Sequence, residues 1–260
     1  MGYAPEGNAR SPPAEQLRGE LARREQFMMV VAHEMRNLIA PLAYAIEVLA
    51  KEDAASTIRV RPVIARQITQ MKRLIDDLLD IASGAQGLLS LCIASVDLRE
   101  VIAAAIDVAQ PAIDAREQHL TLAFQPLCPA IVDGDQGRLT QVLSNLLINA
   151  AKFTPNGGDI FVGLEYEAPC VKVWVRDTGV GIAADMLPKI FDAYFQGLRA
   201  PEASRSGLGL GLAVARNLVE SHGGTLCAHS AGPGCGSEFV VRLPATLGGG
   251  AAAHGARARV

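Results

Sequence analysis

Aromatic side chains are scarce, at 5% of 260 residues with a single Trp, so any core in this chain has to be built from Leu, Ile, Val and Ala. An excess of charge of either sign is also missing: 24 Lys and Arg stand against 27 Asp and Glu, a formal net charge of −3. Such balance gives no polybasic surface and excludes a dedicated nucleic-acid binder. Cysteine is sparse and unpatterned. Cys92, Cys128, Cys170, Cys227 and Cys235 are odd in number and make no C-x-x-C pair. That excludes a disulfide framework and a zinc ribbon, and predicts reduced, mostly buried thiols. No apolar run is long enough to cross a bilayer. Met1-Gly2-Tyr3-Ala4-Pro5 lacks the charged and then apolar pattern of a secretory leader, so the expected location is cytoplasmic. What the chain does have is apolar material: 50% hydrophobic against 20% charged residues. This excludes disorder throughout and predicts one large or two ordinary domains.

Residues 1–13, rich in Pro and Gly, read as a flexible lead-in, and 246–260, mostly Gly and Ala, as a disordered tail. From Ala14 to Leu49 the apolar residues Phe27, Val31, Met35, Leu38, Leu42, Ala45 and Leu49 recur at steps of three and four, a helix with a narrow coiled-coil-like stripe. Lys51 to Thr57 interrupts the pattern. A second stripe follows at Ile64, Ile68, Met71, Ile75, Leu78 and Ala82, with Pro62 expected in its first turn and Ser83-Gly84 at its end. The two helices make a hairpin over 14–84. A lone hairpin leaves half of each stripe uncovered, and a four-helix bundle made by two chains covers it, so a homodimer is expected.

Beyond the joint at Gly84–Gly87 the pattern alternates over 88–245. Leu91–Val96, Leu120–Phe124, Ala130–Val132, Ile160–Tyr166, Val171–Arg176, Thr225–His229 and Glu238–Leu243 read as strands. Helices are expected from the capping-box sequence Asp97-Leu98-Arg99-Glu100 to about Ala115, from Arg138 to Phe153 and from Leu208 to Ser221. The fold class is α+β: helices on one face of a mainly antiparallel sheet, behind a helical hairpin.

Three constellations carry chemistry. His33 lies two residues from both Val31 and Met35, roughly 200° around the helix, and so faces away from the stripe. Taken alone it is a solvated or packing residue. With Glu34 adjacent and Asn37 one turn on, it is also a neutral imidazole with a carboxylate to fix its tautomer, hence a nucleophile. On the helix around Asn145, that residue, Asn149 and Lys152 fall at i, i+4 and i+7. This is either a solvated stripe or a set of amide oxygens suited to Mg²⁺ with a Lys for phosphate. Finally Asp177-Thr178-Gly179-Val180-Gly181 follows a strand, and Gly207-Leu208-Gly209-Leu210-Gly211 opens a helix. Each alone is a turn signal, while a Gly-rich helix start also offers bare N–H groups to an anion.

In this order the segments resemble the sensor histidine kinases of two-component signalling, over roughly residues 25 to 245. His33-Glu34-Met35-Arg36-Asn37 resembles the H box, Asn145–Gly158 the N box, Asp177–Gly181 the G1 box, Ile190–Phe195 the F box and Gly207–Ala213 the G2 box. Ser221-His222-Gly223-Gly224 and Gly236-Ser237-Glu238-Phe239 resemble the closing segment of the family. The family commonly has Pro after the Thr or Asn of the H box, where this chain has Leu38, with Pro41 a displaced substitute.

The resemblance implies a dimeric four-helix bundle followed by an α/β sandwich of the GHKL (Bergerat) type that binds ATP. It implies His33 as phosphoacceptor, Glu34 as its activator, and Asn37 as positioner of water in the reverse, phosphatase direction. Asn149 would ligate Mg²⁺ beside Asn145, Lys152 would meet phosphates, and Asp177 would accept the adenine amino group. Gly179 and Gly181 would shape that pocket. Gly207, Gly209 and Gly211 would bound a lid over Ala193–Ser206, with Arg199 and Arg205 as candidates for charge neutralisation. The partner implied is the receiver domain of a response regulator, docking near Asn37, Pro41 and Tyr44. Only 32 residues precede His33, so either the signal arrives through a separate sensor, or the chain is a catalytic fragment, or it is an unusual soluble kinase. The alternatives are a protein that works mainly as a response-regulator phosphatase and a non-catalytic dimeric scaffold.

Overall fold

The computed structural model describes residues 14–50, 54–85, 90–125, 130–193, 195 and 209–246. The expected lead-in, the tail after Thr246, Gly207 and the expected lid, except Ala193 and Phe195, lie outside the described residues, as do Arg199 and Arg205. The chain divides into two compact units, Met1–Leu74 and Ile75–Val260.

The first unit holds α1 (Ala14–Leu49) and most of α2 (Ala54–Ala85). On α1, Val31, Leu38 and Leu42 are half-buried and Ala45 is fully buried, as the stripe predicts, whereas Met35 and Leu49 of the same stripe are exposed. In the part of α2 that belongs to this unit the buried positions are Val60, Gln67 and Leu74, seven residues apart, a heptad repeat. Ile68 is 58% exposed and Ile75, on the same side, 45%. The apolar surface is wider than one hairpin can cover, so burial falls on one edge of the expected stripe. α2 also starts earlier than expected and Pro62 lies inside it. The helix continues through the proline, forgoing the hydrogen bond its missing N–H would make to the preceding turn.

In the second unit the helices begin where short acidic side chains cap them. Asp97 Oδ1 accepts from Arg99 N at 2.9 Å and starts α3 (Leu98–Asp114). Asp135 Oδ1 accepts from Arg138 N at 3.1 Å and starts α4 (Gln136–Phe153), which stops before Pro155. α5 (Gly211–Ser221) begins three residues later than the glycine run suggests. Strands β2 (His119–Phe124), β4 (Asp159–Glu167), β5 (Cys170–Asp177), β6 (Thr225–His229) and β7 (Ser237–Pro244) form a five-stranded sheet in the order β2-β4-β5-β7-β6. β2 is parallel to β4 and every other pairing is antiparallel. β1 (Ala94–Asp97) and β3 (Ile131–Gly134) make a separate two-stranded antiparallel sheet.

Alternation along β5 fixes the two faces of the large sheet. Val171, Val173 and Val175 are buried on the helix side, where α4 packs between α3 and α5. Lys172, Trp174 and Arg176 point the other way. There Lys172 pairs with Glu165 at 3.1 Å and Glu167 at 3.2 Å, and Trp174 Nε1 donates to Glu165 at 2.7 Å, so Trp174 belongs to a solvated polar ladder. The cysteines depart from expectation: Cys92, Cys227 and Cys235 are exposed free thiols, and Cys170 is half-buried. Cys227 sits on the outer face of an edge strand and Cys235 in a loop, and neither place buries a side chain whatever its hydrophobicity. Cys128 lies outside the described residues. The last turns of α2 belong to this unit and are anchored. The buried carboxylate of Asp80 takes Arg138 Nη1 at 2.7 Å and Gln141 Nε2 at 2.7 Å, both from the start of α4.

Candidate nucleotide-binding site

α4 brings the two asparagines to different depths. Asn145 is 2% exposed and its Nδ2 donates to the carbonyl of Gly211 at 3.2 Å, so it faces the start of α5 rather than solvent. Asn149 and Lys152 are half-buried one and two turns on, with the Lys152 ammonium 4.9 Å from the centroid of the Phe153 ring. The carbonyl end of α4 is held from the turn before β2. Gln118 Nε2 donates to the carbonyls of Ala151 (3.0 Å) and Thr154 (2.7 Å), and Arg116 Nη1 to that of Lys152 (3.1 Å). A cation at a helix C-terminus also interacts favourably with the helix dipole.

Asp177 ends β5 with its carboxyl buried. Oδ1 accepts from Gly179 N at 2.8 Å and Oδ2 from the hydroxyl of Ser237. Burial pushes this carboxyl above the usual carboxylate range, and the hydrogen bonds from Ser237 and Gly179 only partly offset the shift. The segment after it is tied to α4 by Val180 N–H on Phe153 O at 3.1 Å. Gly181 has φ +69°, and a Cβ there would stand 2.1 Å from Gly232 O, so both conformation and space demand glycine. A cavity of about 360 Å³ opens beside Asp177 between Leu187, His229, Cys235 and Ser237.

Three expected segments therefore converge: the Asn–Asn–Lys face of α4, Asp177–Gly181, and the glycines Gly209 and Gly211 at the start of α5. His33 and Glu34 lie on α1 in the first unit with side chains outside the described residues, and Asn37 on the same helix is exposed. His222 is structural, as its place at a helix end suggests. His119 and His229 are exposed strand positions, and His254 lies outside the described residues. Sequence reasoning missed Arg116, Gln118 and Ser230, whose distant partners lie 33 to 48 residues away. Glu117, just before Gln118, has φ +52°, a left-handed turn that neither Gly nor Asn marks in the sequence.

A buried carboxylate beside a loop suits an N–H donor on a flat base. Amide oxygens suit a hard cation, and a helix start suits an anion. The fold and these donors define an ATPase-type domain of the α/β sandwich class, preceded by a helical pair. Residues 134–247 match the family model for the histidine kinase-, DNA gyrase B- and HSP90-like ATPases, and residues 23–87 that for the His Kinase A (phospho-acceptor) domain. The chain belongs to the sensor histidine kinases of two-component signalling.

Sensor histidine kinase ZraS of Klebsiella oxytoca is 35% identical over 240 residues, 88% of this chain and 49% of that protein. The adaptive-response sensory kinase SasA of Thermosynechococcus vestitus is 33% identical over 88% of this chain and 62% of its own length. The chain thus spans about half the length of the ZraS relatives it matches. Among solved structures, full-length ShkA in complex with AMPPNP superposes with a TM-score of 0.62 at 27% identity, over 85% of this chain and 45% of that one. The histidine kinase ThkA in complex with response regulator TrrA shares the fold, with a TM-score of 0.60 at 22% identity over 92% of this chain and 68% of that one. No helix among the described residues is long and apolar enough to cross a membrane.

Proposed function

We propose that this chain is an ATP-dependent protein histidine kinase that phosphorylates its own His33 and passes the group to an Asp of a response regulator. The observation that carries the reading is the convergence of Asn145, Asp177 and Gly211 in one unit, which follows in the sequence a helix that bears His33-Glu34. ShkA, which shares this fold, holds an ATP analogue. Asp177 accepts the exocyclic amino group of adenine, with Gly179 and Gly181 keeping the wall of the pocket thin. Lys152 and the N–H groups at Gly207, Gly209 and Gly211 meet the phosphates.

Mg²⁺ fits the donor set. Asn149 offers an amide oxygen beside Asn145, whose amide plane is fixed by its bond to Gly211. Among the described residues no cluster of three His, Cys, Asp or Glu competes as a metal site. Bound there, the ion would screen the charge of the phosphates. His33 attacks the γ-phosphorus through a ring nitrogen, the bond to the bridging oxygen breaks, and ADP leaves. Glu34 holds the ring in the required tautomer and stabilises its positive charge.

The exposed apolar residues of the hairpin, among them Met35 (39%), Ile39 (53%) and Ile68 (58%), form the face on which a second copy packs to complete a four-helix bundle. A receiver domain docks near Asn37, Pro41 and Tyr44, and a separate or preceding sensor supplies the signal. The boundaries 14–84 for the hairpin and 88–245 for the catalytic domain serve this division of labour.

The test is incubation with Mg-ATP labelled on the γ-phosphate, beside His33→Gln and Asn149→Ala. Acid-labile, base-stable label that is lost in both variants supports the kinase. No label with ATP still bound favours a regulator phosphatase using Glu34 and Asn37. No ATP binding at all reduces the chain to a scaffold.

A further inference from the structure

The connection between β6 and β7 lies along the segment that follows Asp177. Gly234 N–H meets Val180 O at 2.7 Å and Gly236 N–H meets Gly179 O at 3.1 Å. Gly236 has φ +68°, and a Cβ on it would stand 2.0 Å from Asp177 O, so the two backbones touch. These contacts are backbone to backbone and would form with many sequences. One side chain joins them. Ser230 Oγ accepts from Ile182 N at 3.0 Å and from Gly232 N at 3.2 Å, and donates to Gly236 O at 2.7 Å. A hydroxyl has one proton and two lone pairs, and all three are used.

We infer that Ser230 is the positioning residue of the base-recognition end of the nucleotide site: its hydroxyl locks the β6–β7 connection onto Gly179–Ile182 and thereby sets the carboxylate of Asp177. The coupling runs through atoms already named. Ser230 fixes Ile182 and Gly236, these hold Gly179, and Gly179 N–H orients Asp177 Oδ1 at 2.8 Å. Ser237, the next residue after Gly236, donates to the other oxygen of the same carboxylate. The hydrogen bonds of Ser230 among the described residues run to Ile182, Gly232 and Gly236, on the side of Asp177, so it governs recognition of the base rather than the phosphate end. The inference rests on the reading of Asp177 as the group that takes the adenine amino donor.

The experiment is equilibrium binding of ATP and of inorganic tripolyphosphate, each with Mg²⁺, to the full chain. Wild type is compared with Ser230→Ala, Ser230→Cys and Ser230→Thr. Loss of the hydroxyl in Ser230→Ala is expected to weaken ATP roughly tenfold, the scale of one to two lost hydrogen bonds, with tripolyphosphate binding unchanged. Ser230→Thr keeps the hydroxyl, and its added methyl has the adjoining cavity, which Ser230 lines, so it restores the affinity. Ser230→Cys keeps the shape with only a weak donor and is expected to show the same selective loss, which covers the case in which the alanine variant does not fold. Wild-type ATP affinity in the folded Ala or Cys variant overturns the inference. So does an equal loss for ATP and tripolyphosphate, the signature of a merely structural role. Wild type that holds ATP no better than tripolyphosphate overturns the reading of Asp177 itself, a result visible before any variant is made.

Discussion

His222 and Asp135, 87 residues apart, share a hydrogen bond in which the backbone N–H of Asp135 donates to Nε2 of the imidazole at 3.0 Å. The other nitrogen, Nδ1, lies 2.7 Å from Leu218 O. A donor faces one nitrogen and a carbonyl the other, which assigns a neutral ring with its proton on Nδ1. Asp135 opens α4 and His222 closes α5. Asn145, midway along α4, is joined to Gly211 at the opposite end of α5. The two ties hold the first half of α4 against both ends of α5, and so fix the asparagine face against the glycine start.

Replacing His222 by Ala leaves the Asp135 N–H without its partner and opens space beside Gly134. Orphaning one buried donor costs about 1–3 kcal/mol. Urea unfolding is expected to show a lower midpoint with an unchanged slope. An unchanged midpoint would show that the tie contributes nothing to stability.

Asp135 makes stability depend on pH in the acid range. Burial pushes its carboxyl up, but hydrogen bonds from the amides of Arg138, Cys92 and Gly137, with the charge of Arg138, outweigh this and hold it below the usual carboxylate range. A depressed folded value means stabilisation that is present above the ordinary carboxylate value of about 3.9 and is lost as pH falls through the folded value. Asn caps a helix nearly as well as Asp, so Asp135→Asn should keep α4 and lose this part of the acid limb. Denaturant titrations from pH 7 to pH 2 compare the two, and identical acid limbs would count against the assignment.

How much of this was legible from sequence depended on whether the information was local. The Asn145–Lys152 spacing and the Asp177–Gly181 glycines were legible, because each is a periodicity or a backbone demand within one element. The hairpin stripe was legible as a set but not as an edge. Local pattern groups Ile64, Gln67, Ile68 and Met71 on one broad face, and only the neighbouring helix decides that Gln67 is covered and Ile68 is not. Asn145 looked like part of a polar stripe until Gly211, 66 residues away, supplied its partner. Ser230, Gln118 and the His222–Asp135 pair were invisible for the same reason, since polar residues near turns are ordinary until a distant backbone gives them a role. The exposed cysteines show the converse, a residue-type tendency overridden by placement on an edge strand and in loops.

Asp80 tests the anchoring of α2 to α4. Its carboxylate is 6% exposed while Arg138 is 34% exposed, so removal of the acid strands a partly hydrated guanidinium rather than a fully buried one. Breaking a buried pair costs roughly 3–5 kcal/mol, and the exposure of Arg138 brings the expectation for Asp80→Ala down to about 2 kcal/mol. Replacing Arg138 by Met, which leaves the more buried carboxylate with Gln141 alone, should cost more than Asp80→Ala. Equal costs in chemical denaturation would mean the pair behaves as an exposed surface contact.

Asp177 shifts in the direction opposite to Asp135. Burial is the largest influence and raises its carboxyl, with the bonds from Ser237 and Gly179 opposing. A raised folded value means that the contribution of Asp177 to stability is greatest below the ordinary carboxylate value of about 3.9 and is lost as pH rises through the folded value. Ionising this buried carboxyl therefore costs the fold, and what it binds offsets that cost. Asp177→Asn removes the charge at nearly constant shape. It should leave the fold as stable as wild type or more so at pH 7, flatten this part of the pH dependence, and weaken ATP by roughly 10- to 100-fold through loss of a charged acceptor. Binding and denaturation measured on the same preparations separate the two effects. A variant that loses stability at pH 7 while keeping ATP affinity would mean that Asp177 serves the sheet and not the ligand.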